Sequence, residues 1–182
     1  MERALLGMQI EDLRRVLIIG NAGSGKTWLA ERIGSGLKVL VTHLDDIRWA
    51  PGQYGIRRDD ELVLQEVVAA GVAHNWVIEG VYGWLAKSVL DRVTTLIWLD
   101  LPEDECIANI KSRGNQGGGS AESFQELIEW VSEYRHRTSS SSFKGHQDLF
   151  NTYGGPKVQL RTRAEISTYA ENVDDVIAGT KN

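Results

Sequence analysis

Four short apolar runs punctuate the chain: Val16-Leu17-Ile18-Ile19, Lys38-Val39-Leu40-Val41-Thr42, Trp76-Val77-Ile78-Glu79 and Leu96-Ile97-Trp98-Leu99-Asp100. Their length and their β-branched and aromatic content read as strands. A weaker fifth run covers Lys157 to Leu160. Between the runs the apolar positions change period. Trp28 to Ile33 continues as a helix, with Gly34 placed as its C-cap. Asp59 or Asp60 can cap a helix whose apolar positions are Leu64, Val67, Val68 and Val72. Gly83 to Asp91 reads as helical, and Pro102 suits the first turn of a helix carrying Ile107 and Ile110. Phe124, Leu127, Ile128, Val131 and Tyr134 trace an amphipathic helix, with Ser123 and Glu126 at capping-box spacing. Ser139 to Ser142 ends it, and a last helix starts near Ala164. Strands alternating with helices predict an α/β fold of three layers, a parallel sheet covered on both faces.

One compositional break interrupts this rhythm. Gly114 to Ser120 is too glycine-rich to pack a core and reads as a hinge or mobile loop. Hinge, helix, serine run and return to the sheet read as a lid insertion at about 114–150 within a single domain, 1–182. The 182 residues suffice to bury a sizeable core. The formal net charge of -5 argues against a generally basic nucleic-acid binder. Cys106 is the single cysteine, which fits a reducing, cytoplasmic setting and reads as a buried small hydrophobe. No apolar run approaches the ~20 residues of a membrane span. Met1 to Arg15 lacks the apolar core of a signal peptide and reads as a short leading helix or an upstream start. Composition leaves the oligomeric state open.

Candidate chemistry begins after the first strand. Gly20-Asn21-Ala22-Gly23-Ser24-Gly25-Lys26-Thr27 spells G-x-x-x-x-G-K-T between a strand and a helix, the context in which that pattern cradles phosphates. Backbone N–H groups of Asn21 to Trp28 can turn inward where glycine leaves no Cβ in the way, and the helix N-terminus adds partial positive charge. Lys26 can reach the β- and γ-phosphates of a nucleoside triphosphate, and the Thr27 hydroxyl can ligate Mg²⁺. No clear guanine-reading motif follows the fourth strand; ATP is the expected nucleotide, and GTP stays open.

Phosphoryl transfer then needs positioning and charge stabilisation. Asp45, Asp46, Glu79 and Asp100 all end strands, where open parallel sheets bind their ligands. Asp45 or Asp46 is a candidate to orient or deprotonate an acceptor, and Glu79 to support the metal. Arg113 stands before the glycine hinge, and Arg135 and Arg137 near the end of the lid helix. Residues two apart on a helix diverge by roughly 200°, so at most one of that pair should face the phosphates. Arg48, Arg57 and Arg58 crowd a polar loop that could overhang an acceptor site, with Arg48 and Arg58 the expected acceptor ligands. Trp49 could stack on a flat substrate there, whereas the other tryptophans read mostly as core. His43 reads as structural.

The phosphate loop, His43-Leu44-Asp45-Asp46-Ile47-Arg48-Trp49, Trp76-Val77-Ile78-Glu79-Gly80-Val81-Tyr82 and Ile97-Trp98-Leu99-Asp100-Leu101-Pro102 together resemble the adenylate-kinase-related P-loop proteins. More narrowly, they are similar to the group labelled DNA topology modulation proteins. The resemblance runs from about Val16 to Val173. It implies a five-stranded parallel sheet, an arginine-bearing lid, and adenine near Leu160 to Arg163. In the nucleoside monophosphate kinases an acid-Gly pair after strand three is soon followed by a phosphate-binding arginine. Here Glu79 stands for the usual aspartate, and Gly80-Val81-Tyr82-Gly83 holds no arginine, which departs from a monophosphate acceptor. The expectation is an ATP- and Mg²⁺-dependent phosphotransferase acting on a nucleotide-like or other small acceptor. The competing expectation is a regulatory NTPase switch with a protein or nucleic-acid partner.

Overall fold

The computed structural model describes residues 8–51, 55–114 and 119–180. Among them, β1 (Arg15–Gly20), β2 (Val41–His43), β3 (Trp76–Gly80), β4 (Thr95–Leu99) and β5 (Lys157–Leu160) form one parallel sheet in the order β2-β3-β1-β4-β5. β1 lies at its centre, paired with β3 (Leu17 opposite Ile78) and with β4 (Leu17 opposite Leu96). Side chains alternate across a strand. Val16 and Ile18 therefore enter one apolar cluster while Leu17 and Ile19 enter the other.

The first cluster lies under α1 (Lys26–Leu37), α5 (Glu103–Arg113), α6 (Ala121–Ser132) and α8 (Arg163–Gly179). The second lies under α2 (Leu44–Arg48), α3 (Asp60–Ala70), α4 (Gly83–Lys87) and α7 (Phe143–Thr152). The expected three-layer α/β fold is present.

Several boundaries differ from expectation for local reasons. α1 runs through Gly34, whose missing Cβ lets Val41 approach; a Cβ there would lie 2.5 Å from Val41 Cγ2. Lys38, not Gly34, closes the helix in the left-handed conformation at φ 58°. β2 is shorter than predicted, and Asp45 and Asp46 sit in the first turn of α2 rather than on the strand. On α3 the buried positions are Val63 and Val67, whereas Val68 and Val72 are exposed. Asp59 is the α3 cap, accepting from the Glu61 and Leu62 amides. Pro102 is the N-cap of α5 rather than a first-turn residue.

Ser120, not Ser123, caps α6, accepting from the Ser123 amide 3.2 Å away. The serine run ends no helix. Its last member, Ser142, caps α7, a helix absent from the sequence reading. Residues 1–7 of the expected leading helix, Met1 to Arg15, lie outside the described residues; within the rest, Ile10–Leu13 form one 3-10 turn. Of the glycine stretch, 115–118 also lie outside them.

The expected lid, 114–150, spans two environments. α6 packs on α5, while α7 lies on β1 and β4. Between them, buried Tyr134 accepts from Trp98 Nε1 at 3.2 Å and donates to His146 Nδ1 at 2.6 Å. His146 Nε2–H donates to the Val81 carbonyl at 2.9 Å. Burial, which outweighs the bond to Val81, pushes its pKa down to about 3 from an ordinary 6.5 and keeps the ring neutral. The sign follows from linkage. Below pH 6.5 the unfolded imidazole takes a proton that the folded one refuses, so this contribution is complete above pH 6.5. It is lost on acidification toward pH 3, at about 1.4 kcal/mol per pH unit. His146→Gln should be less stable than the parent at pH 7.5 yet lose less stability between pH 7.5 and 5. Denaturant unfolding at both pH values checks this; equal losses would remove His146 from the account.

Candidate active site

The site is built where β1 gives way to α1. Gly23 adopts φ 79°, and a Cβ on it would lie 2.3 Å from the Cys106 carbonyl. Gly25, at φ 95°, is the N-cap of α1. Only glycine takes these conformations without strain, and they bend the loop into a concave turn. The Asn21 side chain is buried. Its Nδ2 donates to the Val131 carbonyl at 3.0 Å, tying the loop to α6, and its Oδ1 accepts from the Ala22 amide. Asn109 Nδ2 donates to the Gly23 carbonyl at 2.8 Å and fixes the loop from α5. Burial pushes the Cys106 thiol up to about 12, which leaves it a neutral packing residue beneath the loop. The Lys26 ammonium is buried and donates to the Asn21 carbonyl at 2.9 Å.

β3 brings Glu79 alongside. Its carboxylate is 3% exposed, and Oε1 accepts from Thr27 Oγ1 at 3.0 Å. The same Oε1 lies 2.8 Å from His43 Nδ1, while His43 Nε2 lies 2.8 Å from Glu31 Oε1. Burial disfavours the His43 cation, but hydrogen bonds to Glu79 and Glu31 outweigh it, and the pKa is raised. His43 thus holds Glu79 in place, consistent with a structural part. A hydroxyl and a carboxylate oxygen this close match the hard, oxygen-only donors Mg²⁺ prefers, which it completes with waters and phosphate oxygens.

Above the loop opens a cleft of about 1800 Å³. Ala22 to Trp28 line its floor, and Asp45, Asp46, Arg48 and Trp49 its β2 side. Arg113 and Trp130 line the side of α5 and α6. The Tyr82 hydroxyl donates to Asp45 Oδ1 at 2.7 Å and accepts from Trp49 Nε1 at 2.9 Å. Burial first, then the Asp45 charge, push the Tyr82 pKa well up, so the phenol stays a donor.

Several expected residues are committed elsewhere. Arg58 is not on the cleft; it pairs with Glu66 and donates to the Ile47 carbonyl at 2.9 Å, because α3 presents the carboxylate beside it. Arg48 reaches the cleft but is bonded to Asp60 and to the Arg58 carbonyl, over Trp84. Arg135 is likewise off the cleft, with both terminal nitrogens on Asp100 Oδ1 at 3.0 and 2.9 Å. Asp100 also accepts from Gln159 at 2.8 Å, which makes it a buried structural acid.

Arg137 differs. Its guanidinium stacks 3.5 Å over Trp130, and Nη2 donates to the Ser141 carbonyl at 3.0 Å. Nε and Nη1 are buried without partners. Burial lowers its pKa, and the charges of Tyr134 and Glu133 offset the lost hydration only in part. Arg113 is exposed at the cleft edge.

The tryptophans were expected mostly in the core. Trp76 and Trp98 are there, but Trp28, Trp49, Trp84 and Trp130 line the cleft. Tyr82, Asn109 and the serine turn were missed as site residues. The signal for Tyr82 was its place just past β3, where open sheets bind ligand. Asn109 stands one turn before Arg113 on one helix face.

This architecture is a P-loop kinase-like fold. It superposes on a shikimate kinase from Bacteroides thetaiotaomicron with 15% identity and a TM-score of 0.57, covering 90% of this chain and 98% of that one. It superposes on a gluconokinase from Sinorhizobium meliloti 1021 with 12% identity and a TM-score of 0.51, over 92% and 93%. A deoxyadenosine kinase from M. mycoides, solved with bound dATP, matches with 12% identity and a TM-score of 0.52, over 92% and 100%. No family model matches the sequence, and no curated protein matches it. Among the described residues no helix is long and apolar enough to cross a membrane.

Proposed function

We propose that this chain transfers the γ-phosphoryl group of ATP to a small acceptor. The observation that carries the reading is the meeting of a phosphate loop, the Thr27–Glu79 oxygen pair and two carboxylates, Asp45 and Asp46, in one cleft. ATP lies with its phosphates on Ala22 to Thr27, and Lys26 exchanges the Asn21 carbonyl for phosphate oxygens. Thr27 and Glu79 would hold Mg²⁺, which would supply charge neutralisation at the phosphates. Asp45, oriented by Tyr82, takes the acceptor's proton. The acceptor oxygen bonds to the γ-phosphorus as the bond to the bridging oxygen breaks, and ADP leaves with that electron pair. Arg113 and Arg137 neutralise charge on the transferring group, with Arg135 positioning the turn through Asp100.

The moving part of the lid is α6, since Tyr134 to Thr152 is anchored on Trp98, Asp100 and the sheet. The alternative, a regulatory NTPase switch, needs a partner surface rather than an acceptor site. A cleft that continues under Trp49 beyond the phosphate loop favours the kinase.

Lys26→Ala removes a charge-assisted contact and should weaken Mg·ATP binding by about 1.5–3 kcal/mol. Calorimetry measures it, with circular dichroism to show that the fold persists. Unchanged affinity would sink the assignment. ADP release that rises when an acceptor is added separates the kinase from the switch.

A further inference from the structure

The end of the cleft next to β2 and β3 is rich in carboxylates. Among the described residues there, Asp45, Asp46 and Glu79 are carboxylates. Of the neighbouring arginines, Arg48 is held by Asp60 and Arg58 by Glu66. Arg57 is left, exposed and lying 5.9 Å over the Trp49 ring. An acceptor bearing a phosphate or carboxylate would enter beside ATP's own phosphates and face Asp45 and Asp46, which form no ion pair among the described residues, whereas Glu79 is paired with His43. Like charges at partly desolvated sites repel strongly.

Flat apolar surface is instead abundant. Trp49, Tyr82 and Trp84 line this end. The Trp49 indole is pinned by its bond to the Tyr82 hydroxyl, so it offers a preorganised face. Opposite, the Ser140 carbonyl packs against Gly83, where a Cβ would lie 2.1 Å from it. That close approach carries the Ser139–Ser141 turn, rich in hydroxyls, to the same end of the cleft.

We propose that this end receives an uncharged hydroxyl compound with a flat ring, of the nucleoside class, and discriminates against acceptors carrying a phosphate or carboxylate. The ring lies on Trp49, and the reacting hydroxyl points at Asp45. The proposal rests on the kinase reading above.

The test compares kcat/KM with Mg·ATP for unmodified nucleosides, their 5′-monophosphates, the sugar acids gluconate and shikimate, and glycerol-type polyols. Nucleosides should exceed their monophosphates and the acids by at least about tenfold, one like-charge contact's worth. Trp49→Ala should raise the nucleoside KM about tenfold with a smaller change in kcat, and Trp49→Phe, which keeps a ring, should restore most of the loss. Higher kcat/KM for a monophosphate or an acid would overturn the charge argument and leave the kinase reading standing. Polyols used as well as nucleosides would overturn the flat-ring argument. Tight Mg·ATP binding with no acceptor-dependent ADP release would overturn the kinase reading itself.

Discussion

Asp45→Asn should lower kcat by about 10²–10⁴-fold while leaving Mg·ATP affinity close to the parent value, the loss expected when a positioned general base is removed. Asparagine keeps an oxygen that can accept from Tyr82, so the local geometry survives and only proton acceptance is lost. Asp46→Asn should cost less. Successive helix residues diverge by about 100°, and Asp45 is the one the Tyr82 hydroxyl orients. Steady-state kinetics with the best acceptor checks both variants. Equal effects would take the special part from Asp45, and parent-like turnover in both would make the α2 acids structural.

Arg137→Ala should reduce kcat by about 10²–10³-fold, the range for losing one preorganised donor to developing charge, with a smaller change in ATP affinity. The reason is its unspent capacity: Nε and Nη1 are buried without partners behind Trp130, which lines the cleft. Arg135→Ala should act differently. Arg135 is about a third exposed and bonds the buried Asp100, so its removal should cost about 1–3 kcal/mol of stability. Kinetics together with denaturant unfolding separates the two arginines. An ATP analogue should also slow hydrogen exchange in 119–132 more than in the sheet, because nucleotide contacts would add to the Asn21–Val131 bond. The reverse pattern, with Arg135 catalytic and Arg137 structural, would overturn the assignment.

Most of the framework was legible without coordinates. The strand runs around Ile18, Ile78, Ile97 and Val158 lie in the sheet because apolar runs of that length have no other way to bury both faces. The phosphate loop was legible because its chemistry is local: the loop, its flanking strand and helix, Lys26 and Thr27 all lie within one short stretch. Boundaries set by close approach were not. Gly34 looks like a cap in sequence and is a contact with Val41 in space. The serine run looks like a terminator, yet Ser142 starts α7, whose buried face emerges only against β1 and β4.

Side-chain commitments were the least legible part of the site. Arg48, Arg58, Arg135 and Arg137 have the same chemistry in sequence, and each could have served a ligand. Which one is free depends on where carboxylates from distant segments fall: Asp60 and Glu66 on α3 take two of them, and Asp100 at the end of β4 takes the third. The sequence by itself determined the α/β class, the parallel sheet and the phosphate loop, because these follow from local periodicity and a contiguous motif. Only the tertiary structure decided that Glu79 meets Thr27, that Tyr82 orients Asp45 and that Arg137 keeps Nε and Nη1 unpaired. Those facts are distances between residues far apart in the chain, and they are set by how the helices pack across the sheet.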